Sequence, residues 1–255
     1  MPDVSSYKPK HIYNVNIQRL HSSKLKLKAI TPHVDLPSKV DHRPNMPDVY
    51  DQGQLGSCTA NALCGAVGFI IKGFTGSRLF VYYNERKLEH TIPDDEGAML
   101  SDGVLTLEKY GVCSEDDWPY EIEKFAVKPT ANCYTNALKH HVLSASNVDT
   151  DLYSMKHALA NGFPFVVGIS IFASFEGEDV AANGKVPMPD YNEENLGGHA
   201  VLVCGYNDET QEFIVRNSWG PSWGDSGYFY LPYDYLTNPS LSSDMWTITA
   251  VENNV

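Results

Sequence analysis

An α+β fold is predicted for this chain on two observations. Helical periodicity dominates its first half, and short apolar runs separated by Gly, Asn, Asp and Pro dominate its second. The length, 255 residues, suits one large domain or two subdomains with a cleft between them.

Residues 1–34 are polar and basic with little periodicity, and are expected to lie extended or as a short helix. Residues 35–57 hold Pro37, Pro44, Pro47, Gly53 and Gly56 and read as loop and turn. A helix follows, with Ser57 as its expected N-cap, apolar positions at Ala60, Leu63, Cys64, Val67, Ile70 and Ile71, and Gly73 as its stop. Further helices are predicted over 77–89 and 102–110, the latter stopped by Gly111. Residues 113–140, with Pro119 and Pro129, read as loops. A helix over 151–160 is ended by Asn161–Gly162. Strands are predicted at 165–171, 199–206, 212–216, 227–231 and 246–251.

The net charge of −13 argues against nucleic acid as a general partner. No apolar run reaches 18 residues, so no membrane-spanning helix and no membrane partner are expected. The N-terminus has no apolar central region, which predicts a non-secreted protein: cytoplasmic, or carried in a virion or delivered to a host. Cys58, Cys64, Cys113, Cys133 and Cys204 form no CxxC pair, so no metal site or cofactor is expected. Reduced thiols are the simplest reading, with one disulfide among the last four left open. Charge is unevenly spread. Residues 1–34 carry six basic side chains against Asp3, a net +5, and the remainder carries −18.

Three motifs carry chemistry. Gln52-Gly-Gln-Leu-Gly-Ser-Cys58 places a cysteine at the first turn of a helix, where the dipole stabilises a thiolate. Gln52 offers a side-chain amide that, with the Cys58 N–H, can donate to a developing oxyanion. A structural core cysteine is the competing reading. Gly197-Gly198-His199-Ala200-Val201 brings a histidine into an apolar strand, which taken alone reads as a satisfied core histidine, as His140 and His141 do. Arg216-Asn217-Ser218-Trp219-Gly220, followed by Trp223-Gly224, supplies an asparagine able to orient an imidazole and a tryptophan able to shield that bond from water.

Together, QGQLGSC, GGHAVLVCGY and RNSWGPSWGDSGYF resemble the Cys, His and Asn motifs of the papain family of cysteine proteases, over about residues 35–251. The resemblance implies Cys58 as nucleophile, His199 as general base and acid, Asn217 as its orienter, Gln52 as oxyanion donor and Trp219 as cover, with Trp223 nearby. It implies a helical left subdomain, about 46–140, and a β-barrel-like right subdomain, about 35–45 and 141–251, with the site in the cleft between them. The peptidase domain would then span 35–255. Gly97 and Ala98 would pair with substrate backbone. Met99, Leu100, Gly168 and Ala200, with Ile248 as floor, would line a pocket preferring an apolar residue two before the cut. The alternative is that Met99 and Leu100 are simply core. Partners would be protein or peptide substrates, met by a monomer.

The chain departs from secreted members of the family. Leu55 and Asp95 stand where those enzymes carry disulfide-bonded cysteines, so the usual disulfides are not expected, as in non-secreted microbial and viral members. Pro119-Tyr120 is present without the histidine-bearing occluding loop of dipeptide-trimming members, which favours an endopeptidase. Residues 1–34 are too short for the usual globular proregion. Basic as they are on an acidic body, they are expected to lie across it and restrain activity, the alternative being a solvated tail. A papain-fold acyltransferase and a silent binding module are the rival readings. Retention of Gln52, Cys58, His199 and Asn217 together argues against the second.

Overall fold

The computed structural model describes residues 9–15, 26–27 and 34–254. Its first half is helical: α1 (Cys58–Ile70), α2 (Arg78–Glu89), α3 (Leu100–Tyr110) and α4 (Ala131–Ala137). α1 is buried from Cys58 to Gly68, the mark of a helix inserted in a core rather than laid on one. α2 is capped by Ser77, whose hydroxyl accepts from Phe80 N. Gly111, at φ +70°, ends α3 as expected. Ser57 does not cap α1. Its hydroxyl instead meets the Tyr120 hydroxyl at 2.6 Å and accepts from Asn61 Nδ2. α4 was expected as loop. It buries only Cys133 and Ala137, so it has no apolar stripe, and it is held by its Thr130 cap.

The second half builds a sheet. Its strands are β1 (Lys26–Leu27), β2 (Lys39–Asp41), β3 (Val142–Val148), β4 (Phe165–Phe172), β5 (Asn195–Asn207), β6 (Glu212–Arg216), β7 (Tyr228–Pro232) and β8 (Ser242–Val251). They run in the order β1-β3-β8-β4-β5-β6-β7, with β2 added to β5. All these pairs are antiparallel except β1 with β3. Helices α5 (Leu152–Ala160), α6 (Glu178–Asn183) and α7 (Tyr233–Thr237) punctuate the strands. β5 begins four residues before the expected start, because Asn195–Gly198, with Leu196 as their one apolar side chain, pair with β4.

Strand alternation separates two cores. Ala200 and Leu202 of β5 and Val166 of β4 pack with α1, Leu100 and Val104. Val201, Val203, Val167 and Ile169 pack on the other side with Phe213, Phe229, Trp219 and Trp223. Leu63, fully buried on α1, sits so close to α3 that a Cβ at Gly103 would fall 2.3 Å from Leu63 Cδ1. Leu63→Ala is therefore expected to cost about 2–5 kcal/mol, read as a lowered urea midpoint at unchanged m-value. No helix among the described residues is long and apolar enough to cross a membrane.

Candidate active site

Cys58 opens α1, and the turn before it is tied down from several directions. Arg216 donates to the Pro47 and Asp48 carbonyls, each at 2.6 Å, fixing the chain that leads into the turn. Gln52 is buried. Its Nε2 donates to Leu55 O (2.9 Å), its Oε1 accepts from the Ser218 hydroxyl (2.5 Å), and its carbonyl accepts from the Tyr120 hydroxyl. An amide nitrogen has two protons, so one Gln52 N–H is left for a further acceptor. The Asp95 carboxylate accepts from Gly56 N at 3.0 Å and from the Tyr82 hydroxyl at 2.5 Å. Asp95, noted in the sequence only as a missing cysteine, thus links the 95–98 segment to the turn before Cys58. All five cysteines are unpaired and buried.

His199 Nε2 lies 2.8 Å from Asn217 Oδ1, which also accepts from Ser218 N. The Trp219 indole stacks on the imidazole, centroids 4.9 Å apart, and Trp223 meets Trp219 edge-on. Cys58 packs against Ala200, the residue after His199. Both Cys58 and His199 are completely buried. Burial pushes the Cys58 thiol up to about 12, against lowering hydrogen bonds from the Ala200 and Thr59 backbone, with the buried Glu85 adding to the rise. Burial likewise takes His199 down to about 4, opposed by its bond to Asn217. In this state both groups are neutral near pH 7, and His199 Nδ1 has no hydrogen-bond partner among the described residues.

Residues 9–15 of the chain itself run beside this centre. Val15 N donates to Gly198 O at 3.2 Å, and Asn14 bridges Gly198 in parallel. Asn14 Nδ2 donates to Asp95 O. The backbone passes so close that a Cβ at Gly97 would fall 2.3 Å from Asn14 O, and one at Gly197 2.4 Å from Tyr13 O. Val15 shares one apolar cluster with Ala98, Leu100, Ala200 and Ile248, and lies against Gly168. So four of the five expected pocket residues, together with Ala98, gather around one side chain. Met99 does not join that cluster; it stands before α3 with its N–H on Glu89. Trp219 lies at the other end of the segment, where His11 stacks on it with ring centroids 3.7 Å apart.

At that end Glu176, whose side chain is 0% exposed, accepts from Lys10 N (2.8 and 2.9 Å), His11 N (3.1 Å) and the Tyr13 hydroxyl (2.5 Å). His11 Nδ1 is 3.2 Å away. Nothing in the sequence around Glu176 marks it; it is one acidic residue in an acidic body. Residues 1–8, 16–25 and 28–33 of the basic arm lie outside the described residues.

Comparison with known proteins gives a consistent result. The family profile described as papain family cysteine protease matches residues 36–245. An uncharacterized peptidase C1-like protein of Acanthamoeba polyphaga mimivirus is 41% identical over 248 residues, covering 92% of this chain and 79% of the relative. A cathepsin B-like protein of Giardia intestinalis is 28% identical over 202 residues, 72% of this chain and 64% of its own length. Among solved structures, xylellain, a cysteine protease from Xylella fastidiosa, superposes with a TM-score of 0.84 at 36% identity, covering 98% of this chain and all of that one. The match over most of the chain, and the α+β fold shared with a solved cysteine protease, establish that this chain belongs to the papain family of cysteine proteases.

Proposed function

We propose that this protein is a cysteine endopeptidase held inactive by its own N-terminal arm. Cys58 attacks the peptide carbonyl as a thiolate and forms a thioester acyl-enzyme. His199 takes the thiol proton, returns it to the leaving amine and then activates water. Asn217 holds the imidazole, Trp219 shields that bond, and the free Gln52 N–H joins the Cys58 N–H in meeting the oxyanion. Gly97 and Ala98 pair with substrate backbone. Leu100, Gly168, Ala200 and Ile248 form the pocket for an apolar residue two before the cut. Substrates are proteins or peptides, the working form is a monomer, and the unpaired cysteines suit a reducing, non-secreted setting.

The observation that carries the reading is the seat of Val15 in the apolar cluster beside Cys58. It supports both an apolar preference and a blocked cleft. If that cluster receives the residue two before the cut, residues 11–15 run opposite to a substrate, from Trp219 back to the pocket. A reversed peptide does not present its carbonyls for attack. Residues 9–15 are held by the Glu176 carboxylate as well as by apolar packing, so salt is expected to loosen the arm in part.

The test is hydrolysis of fluorogenic peptides with an apolar or an acidic residue at that second position, by the full chain and by Val15→Asp. Faster apolar-peptide cleavage by Val15→Asp supports the reading, and equal rates on both proteins refute the blocked cleft. A related expectation concerns pH. His199 binds its proton at about 4 when covered and near 6.5 when solvated. The open form therefore takes up more protons between those values, and acid favours opening. Lowering the pH from 7 to 4.5 is expected to raise the open fraction of the full chain by about 10²-fold, checked by limited proteolysis of the arm.

A further inference from the structure

The segment that carries Gln52 and ends at Cys58 is held from two sides. On the sheet side, Gln52 N donates to Ser218 O (2.8 Å), Gln52 Oε1 accepts from the Ser218 hydroxyl, and Gly220 N donates to Tyr50 O (2.9 Å). Those bonds tie Gln52 to the sheet, whereas Cys58 belongs to α1. On the helical side one residue gathers the segment. Arg78 opens α2, and its side chain is 12% exposed. Arg78 Nη1 donates to Asp51 O (3.1 Å), the carbonyl of the peptide unit whose N–H is that of Gln52, and to Asn61 Oδ1 (3.3 Å). Asn61, on α1, donates in turn to Ser57 O at 2.9 Å. Arg78 Nη2 is anchored on Glu115 Oε1 at 2.8 Å. The guanidinium lies 3.9 Å from the centre of the Tyr120 ring and 4.7 Å from that of Tyr50. The Tyr120 hydroxyl donates to Gln52 O at 2.9 Å. The carbonyls of Asp51, Gln52 and Ser57 therefore all end on Arg78 or on a side chain that touches it.

We infer that Arg78 is a positioning residue that holds the Gln52 side chain at the oxyanion, through its bond to Asp51 O and its contact with Tyr120. The inference rests on the peptidase reading, which gives Gln52 that task. An oxyanion donor lowers the barrier only if it is fixed before the charge develops. A peptide unit tied at its N–H but free at its carbonyl can tilt about the tied end, and the Gln52 side chain would swing with it relative to Cys58. Arginine suits the position because its planar fork serves Asp51, Asn61 and Glu115 together while its face meets Tyr120. Lysine keeps the charge and loses the fork.

The test uses the full chain carrying Val15→Asp, with and without Arg78→Ala, Arg78→Lys and Gln52→Ala. Arg78→Ala is expected to lower kcat about 10- to 10²-fold with KM within about 3-fold, and Arg78→Lys to do the same to a smaller degree. In a chain already carrying Gln52→Ala, Arg78→Ala should cost no more than about 3-fold further, because the donor it positions is gone. Alkylation of Cys58 by iodoacetamide needs the thiolate but no oxyanion donor, so its rate and pH profile should stay within about 3-fold. A merely structural role would slow both reactions and add to the Gln52→Ala loss. A peptide aldehyde reads the same site without turnover. The Cys58 sulfur bonds its carbonyl carbon, the π pair moves onto oxygen, and that oxygen takes the proton held by His199. Protection of Cys58 from alkylation is expected to need about 10-fold more aldehyde with Arg78→Ala. Protection without any turnover would refute the peptidase reading, and the inference is then decided by the aldehyde alone. Should Arg78→Ala fail to fold, the same comparisons on Arg78→Lys decide, with a loss of about 3-fold or more expected. Equal aldehyde protection with and without Arg78, losses additive with Gln52→Ala, alkylation slowed in step with turnover, or no protection in any chain would each overturn the inference.

Discussion

In the full chain carrying Val15→Asp, iodoacetamide is expected to alkylate Cys58 at pH 6 at least about 10³-fold faster than in the unaltered chain. With the thiol pushed up to about 12, the thiolate fraction at pH 6 is about 10⁻⁶, and the residue has no exposed surface. A solvated cysteine near 8.5 already has about 10³ times more thiolate, before any imidazolium partner is counted. Val15 itself stabilises the covered state by roughly 1.5–3 kcal/mol of apolar burial. An unpaired aspartate in the Ala98–Leu100–Ala200–Ile248 cluster reverses that sign and adds several kcal/mol of desolvation, more than the few hydrogen bonds of residues 9–15 can offset. Mass spectrometry of the alkylated peptide reads the rate at Cys58 specifically. An unchanged rate would mean that burial of the thiol does not depend on the arm.

The second large effect is loss of turnover. In the Val15→Asp chain, Cys58→Ala and His199→Ala are each expected to lower kcat/KM by about 10⁴-fold or more, and the double substitution to do little further harm. Nucleophile and base act in one step, so removing either removes the step. Asn217→Ala should cost less, about 10- to 10²-fold, because the 2.8 Å bond to His199 orients the ring without taking part in bond making. The discriminating readout is the pH profile. Loss of the orienting bond should move the limb assigned to His199, whereas simple unfolding would lower every point and the thermal midpoint together. Additive losses at Cys58 and His199 would contradict the shared step.

The proposed catalytic residues are legible in the sequence because each is announced locally. Cys58 begins a helix after glycines, His199 enters a strand after Gly197-Gly198, and Asn217 precedes Ser218-Trp219. Four of the five expected pocket residues, with Ala98, also gather around Val15. What escaped was set by tertiary partners. Ser57 reads as a cap but bonds Tyr120, a residue 63 positions away. α4 forms on a polar sequence because Phe80 and Cys113 wait for Cys133 and Ala137. β5 starts early because β4 offers its backbone to residues with Leu196 as their one apolar side chain. Glu176 meets Lys10, His11 and Tyr13, which no spacing links to it. The basic character of residues 1–34 suggested attraction to an acidic body, and in residues 9–15 the hold combines the Glu176 carboxylate with apolar packing around Val15.

The link from Asp95 to Gly56 has a redox consequence. In secreted members of the family, the positions of Leu55 and Asp95 hold disulfide-bonded cysteines, so a reductant that protects the nucleophile can also unfasten the loop that carries it. Here the loop is fastened by a carboxylate, a peptide N–H and the Tyr82 hydroxyl, none of which exchanges with thiols. The oxidation state of Cys58 is thereby uncoupled from the shape of its surroundings. Strong dithiol reductants should repeatedly reactivate an enzyme oxidised at Cys58 to the sulfenic acid or a mixed disulfide, with no accompanying loss of fold.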